Sequence, residues 1–172
     1  SAAATTINSF SNNIIVNQTT SVASGIGTTI SGIKATTAST TVNIGSSGNG
    51  NTITIKQGLS GLGSYSTGQI TYINVSIGHT NLNVNYNTLN TTGSTLRSTS
   101  TAYGILHDAT IVTSLVITYN NMTIDRVASA GNMRGTYETY TNSSTPKKNI
   151  SNNSFTFTNL SSASLATAIF AT

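Results

Sequence analysis

The 172-residue chain carries a formal charge of +4 from seven bases and three acids, and only 6% of its residues are charged, against about 25% in an ordinary soluble domain. Serine and threonine together number 58, asparagine 21 and cysteine none. This composition excludes a disulfide framework and thiolate metal sites, the scattered bases exclude a clustered nucleic-acid face, and no apolar run is long enough to span a bilayer.

Asp108, Asp125 and Glu138 are the only acids. A protein held by salt bridges loses them as carboxylates protonate, so a surface of hydroxyls and amides suits an acidic exterior. The opening Ser1-Ala2-Ala3-Ala4 reads as a processed N-terminus from which a signal segment has gone. The absence of a long apolar N-terminal helix argues against a type IV pilin.

Along the chain, residues 1–22 form an apolar patch followed by a hinge. Phe10, Ile14 and Val16 share one face, Asn12 interrupts it, and "SVASGIG" follows. Such a segment either closes its own sheet or pairs with the sheet of another molecule. Strands are predicted near 14–17, 28–34, 40–44, 51–57, 69–77, 81–89, 110–119, 122–127, 135–140, 154–159 and 165–170, all rich in β-branched residues. The stretch "NLNVNYN", 81–87, alternates apolar and asparagine side chains, giving one polar face. "GSSGNGN" after Ile44 predicts a hairpin. "STAYGILHDAT", 100–110, is the one stretch that admits a helical turn. "TNSSTPKKNISNNS", 141–154, with the only proline at Pro146, reads as an exposed loop. Short strands with such punctuation predict an all-β chain, a sandwich or barrel.

Sequons stand at Asn17, Asn74, Asn90, Asn121, Asn142, Asn149, Asn152 and Asn159, a number close to what so much serine and threonine produces by composition. Their placement in turns or on polar strand faces makes covalent N-glycans the expected modification, with 142–152 foremost. His107-Asp108 is a neighbouring pair of the kind found in turns; a triad needs residues brought together in space, so no catalytic residue is assigned. Two histidines and three acids show no metal-ligand spacing, and no cofactor is expected. Lys34 and Lys56 are candidates for isopeptide staples with Glu138 or Asp125 as helper. Tyr72, Tyr86 and Tyr119 are placed in strands, as core or sheet-face residues.

The N-terminus "SAAATTINSFSNNIIVNQTT", the charge-poor Ser/Thr/Asn strands, the sequons and the lack of cysteine resemble the subunit of archaeal threads, thin surface filaments of thermoacidophilic archaea. The resemblance covers the whole chain and rests on composition and layout. It implies an Ig-like, type I pilin-like β-sandwich head (23–172) with an extended N-terminal donor strand and hinge (1–22). It also implies that Ile7, Phe10, Ile14 and Val16 complete the sheet of the next subunit, and that the surface is glycosylated. The expected function is a non-enzymatic subunit of an extracellular, cell-surface filament. Its expected partners are identical subunits and the surfaces or cells it adheres to. The rivals are a carbohydrate-binding or adhesin module, with a tyrosine platform for glycans, and a viral coat protein with a β-sandwich.

Overall fold

A computed structural model describes residues 4–18, 29–57, 68–91, 100–126, 131–139, 147–158 and 165–171. Among these residues the predicted alternation is present, and it builds fifteen strands in five successive coils of three. The first coil holds β1 (Ala4–Ser9), β2 (Asn13–Gln18) and β3 (Ile30–Ala35). The second holds β4 (Ser39–Ile44), β5 (Thr52–Gln57) and β6 (Ile70–Val75). The third holds β7 (His79–Asn85), β8 (Thr88–Asn90) and β9 (Ala102–His107). The fourth holds β10 (Ile111–Thr118), β11 (Asn121–Asp125) and β12 (Met133–Glu138), and the fifth β13 (Lys147–Ser151), β14 (Ser154–Thr158) and β15 (Ala166–Ala171).

Each strand pairs in parallel with its counterpart in the next coil. The result is three five-stranded sheets: sheet A (β1-β4-β7-β10-β13), sheet B (β2-β5-β8-β11-β14) and sheet C (β3-β6-β9-β12-β15). The fold is a β-solenoid. This corrects the expected β-sandwich, whose strands pair antiparallel through short turns. "GSSGNGN" shows the difference: it turns the chain from β4 in sheet A to β5 in sheet B, so it is a corner and not a hairpin. The stretch read as helical contains β9, and the segment read as a loop contains β13.

The N-terminal segment pairs within its own chain. β1 lies in register on β4, with Ile7 opposite Val42, and β2 lies on β5, with Ile14 opposite Ile53 and Val16 opposite Ile55. Ile7, Ile14 and Val16 pack half-buried against that chain's own core, while Phe10 stands at a corner, 39% exposed. A β-sandwich groove waiting for a donated strand is therefore replaced by a first coil stacked on a second.

Side chains of one parity from each sheet fill the interior. The columns Ile7–Val42–Leu82–Leu115 and Ile44–Val84–Ile117–Ile150 come from sheet A. The column Ile14–Ile53–Leu89–Met122–Phe155 faces them from sheet B. In sheet C the pairing skips Gly32, Tyr72, Gly104, Gly135 and Ala168, one residue per coil. A Cβ on Gly104 or Gly135 would strike Met122 or Phe155 of the facing sheet. Small residues here let sheet C approach sheet B, and Tyr72, at the same position one coil on from Gly32 and one before Gly104, is fully buried. Among the described residues no helix is long and apolar enough to cross a membrane.

Candidate functional site

The corner between sheets A and B is built on one asparagine per coil: Asn12, Asn51, Asn87, Asn120 and Asn153. Each of the first four donates its Nδ2 to the Oδ1 of the next at 2.9 Å. Each also donates its backbone N–H to that same Oδ1 at 3.0–3.1 Å. The Nδ2 of Asn51, Asn87, Asn120 and Asn153 also reaches back to the carbonyl of Ser9, Ile44, Val84 and Ile117 respectively, at 2.8–2.9 Å. A buried amide is costly unless its donors and acceptor are all used. Stacking identical amides in register satisfies them with one another, and Asn51, Asn87 and Asn120 are fully buried.

The corner also explains a backbone irregularity. The residue before the ladder asparagine has positive φ in four coils: Ser11 (53°), Tyr86 (60°), Tyr119 (57°) and Asn152 (56°). Left-handed backbone is uncommon for tyrosine, and the turn imposes it. Tyr86 and Tyr119 then project outward and stack, ring centroids 4.8 Å apart and 11° from parallel, 39% and 50% exposed. They are corner residues, in contrast to the expected strand placement; Tyr72 alone of the three is core. At the corner between sheets B and C, the buried Arg126 donates from Nη1 to Asn132 O and from Nη2 to Ser100 O, tying together the approaches to β9 and β12.

The outward face of sheet A answers why "NLNVNYN" carries amides where most surfaces carry charge. Residues in one column sit about 4.8 Å apart, where two like charges repel by about 1 kcal/mol even in water. Amides attract: Asn43 Nδ2 donates to Asn8 Oδ1 and Asn83 Nδ2 to Asn43 Oδ1, both at 2.8 Å. Ser114 Oγ donates to Asn81 at 2.9 Å and Thr118 Oγ1 to Asn85 at 2.8 Å. In-register stacking thus favours the neutral composition independently of any acidic surroundings.

The sequons divide by exposure. Asn121, Asn149 and Asn152 are exposed and Asn90 is half-buried, whereas Asn74 is buried in β6, 7% exposed. Asn17 lies in β2 with its side chain outside the described residues, and Asn142 and Asn159 fall outside them altogether. Lys34 is exposed on β3 and Lys56 half-buried on β5; neither is placed against Glu138, which lies on β12, three strands from β3 in sheet C and in a different sheet from β5, beside Lys148.

A second polar cluster lies at the corner between sheets C and A. Glu138, almost fully buried, accepts from Lys148 Nζ at 2.7 Å. His107 is fully buried with its Nδ1 3.7 Å from Glu138 Oε1, beyond hydrogen-bond reach. Burial above all, then the neighbouring His79 and Lys148, pushes the His107 pKa down to about 4, so the ring is neutral at pH 7. Asp108, its sequence neighbour, is exposed and joins no site with it. Ser39 Oγ and His79 Nδ1 lie 3.1 Å apart beside an open groove lined by Ala38, Thr40, Gly78, Thr80 and Thr110. Burial lowers the His79 pKa, opposed by the Ser39 contact. The opposite ring nitrogen, Nε2, has no partner among the described residues. The carboxylate that orients a catalytic histidine is therefore missing among them, and the pair reads as corner packing. Among the described residues no group of three or more His, Cys, Asp or Glu side chains could hold a metal ion.

The two ends of the solenoid complete the description. Among the described residues, no strand pairs with the outer edges of β1, β2 and β3, or of β13, β14 and β15. Half-buried apolar residues mark both ends: Ile7, Ile14 and Val16 on the first coil, Ile150, Phe155 and Phe157 on the last.

No protein-family model, curated protein or solved structure matches the chain. The ladder was nevertheless present as a sequence signal. An asparagine, then a small polar residue, then an apolar one recurs at "NTI" (51–53), "NTL" (87–89), "NNM" (120–122) and "NSF" (153–155), at intervals of 36, 33 and 33 residues.

Proposed function

We propose that this chain is a structural, non-catalytic subunit of an extracellular homopolymeric filament, glycosylated at exposed sequons. The observation that carries the proposal is the pair of parallel edges, unpaired among the described residues, at opposite ends of the solenoid. A parallel edge offers alternating N–H and C=O groups to another strand. The two edges differ, so joining one to the other is heterologous and repeats without closing, which is the geometry of a filament. The exposed amides of Asn121, Asn149 and Asn152 are open to a glycan-transferring enzyme. Electron microscopy and sedimentation of the purified chain test the reading. Regular thin filaments whose abundance rises with concentration support it; a monomer at every concentration refutes it.

A second reading, a carbohydrate-binding or adhesin module, draws on the exposed Tyr86–Tyr119 stack and on Arg134, whose guanidinium carbon lies 4.3 Å from the Tyr137 ring centroid. Aromatic faces beside neutral amides suit sugars. A glycan array on the soluble chain, repeated with Tyr86→Ala and Tyr119→Ala, tests it: binding lost in both variants supports the module, and no binding by the wild type removes it.

A further inference from the structure

We infer that two copies of the chain join end to end with the asparagine ladder running unbroken across the joint, Asn153 of one copy against Asn12 of the next. The inference rests on the filament reading above and specifies its contact.

The ladder has a direction, and its two ends are complementary. In the interior, each asparagine directs its backbone N–H and one Nδ2–H at the Oδ1 of the following coil. The following coil returns the contact through the N–H one residue further on. Thr88 N donates to Asn51 O and Asn121 N to Asn87 O, each at 2.8 Å. At the last coil, Asn153 still accepts from Asn120 and donates to Ile117. Its backbone N–H and backbone carbonyl have no partner among the described residues. At the first coil, Asn12 donates to Asn51 while its own Oδ1 accepts nothing among them. One end therefore presents the N–H, Nδ2–H and C=O that the repeat requires, and the other presents the matching Oδ1 and the N–H of Asn13.

The apolar columns agree with the same register. Phe155 ends the column that Ile14 begins, and Phe157 lies two residues further along β14, as Val16 does along β2. Both pairs are only half-buried in the single chain and would cover one another across the joint. Lys147 and Lys148 sit on the same edge, and charged side chains on an edge oppose indiscriminate pairing. Lys148 is held by Glu138 at 2.7 Å, so the incoming Ile7 meets a neutralised pair. The edge is thus selective for a partner that brings the ladder with it.

The absence of cysteine makes the register directly testable. The outward column Asn8–Asn43–Asn83–Val116–Asn149 places Asn8 of the next copy beside Asn149. Directly paired parallel residues lie about 4.8 Å apart, within the Cα span of a disulfide, about 4.4–6.8 Å. The double variant Asn8→Cys/Asn149→Cys, with its circular dichroism matched to wild type, should convert on mild oxidation from monomer to a ladder of covalent multimers that reductant collapses. Each single variant has no cysteine across the joint and should stay monomeric on the same gel, and the off-register pair Thr6→Cys/Asn149→Cys should give much less product. Wild-type filaments together with a double variant that stays monomeric on a denaturing, non-reducing gel would overturn this contact and leave the filament reading intact. An off-register pair that cross-links as well as the matched one would overturn the register. A wild type that forms no filaments and stays monomeric would overturn both.

Discussion

Asn87 donates its Nδ2 to Asn120 Oδ1 and to the Ile44 carbonyl, both at 2.9 Å, and in turn accepts from Asn51. One fully buried side chain thus joins three coils.

Replacing it by alanine removes the donor to the Ile44 carbonyl and the acceptor of the Asn51 backbone N–H and of one Asn51 Nδ2–H, all at a buried corner. Each such orphan costs about 1–3 kcal/mol. Asn87→Ala should therefore lower stability by about 3 kcal/mol, read as a reduced denaturation midpoint in urea with an unchanged slope. Asn12→Ala, at the exposed end of the ladder, should cost about 1 kcal/mol. Equal losses at the two positions would show that the ladder contributes nothing beyond its individual bonds.

Gly50 precedes the second ladder asparagine, and a Cβ there would collide with the backbone carbonyl of Tyr86 in the next coil. The obstacle is main chain, which cannot swing aside as the end of a flexible side chain can. Gly50→Ala should cost about 2–3 kcal/mol. Gly48, three-dimensionally open although its φ is +75°, should cost only the conformational strain, about 1 kcal/mol. Thermal melts of the two variants give the comparison.

The buried His107 makes stability depend on pH. Its folded pKa, about 4, lies below the ordinary value of about 6.5, so the unfolded chain takes up the proton first as pH falls. The stability it contributes is complete above about pH 6.5 and is lost between there and about pH 4, on the order of 3 kcal/mol. His79, also lowered by burial, acts in the same direction. Denaturant midpoints across this range should fall for wild type and flatten for His107→Gln. A flat wild-type profile across this range would contradict the assignment.

Glu138 and Lys148 form an ionic contact at an inward edge position, the carboxylate buried and the ammonium a third exposed. Lys148→Met removes the nearest cation from a buried carboxylate and should cost about 2 kcal/mol, less than a fully enclosed pair. Glu138→Leu/Lys148→Leu should return to within about 1 kcal/mol of wild type. A double variant worse than the single one would mean that the pair contributes net stability.

Local structure was legible in the sequence and topology was not. In "NLNVNYN" the inward positions of Leu82 and Val84 follow from alternation alone, and both are fully buried. The same alternation places Tyr86 inward, but the chain turns there with φ at 60°, and nothing in a period of two announces a corner. β9 escaped because Gly104 interrupts its pattern, and β13 because Lys147-Lys148 reads as a loop. Partner choice was hidden more deeply. A strand patterned for a sandwich and one patterned for a solenoid look alike, and what separates them is a partner one coil away instead of across a turn. The recurring asparagine carried that distance, but among 21 asparagines and 58 hydroxyl residues a three-letter repeat does not stand out.

Because every strand pairs only with its counterparts in the coils before and after it, the molecule behaves as a short one-dimensional crystal. Its cohesion is a sum over neighbouring rungs, and each rung closes a loop of more than thirty residues, an entropic cost that favours slow growth on an existing template over spontaneous nucleation. A finished end is itself such a template.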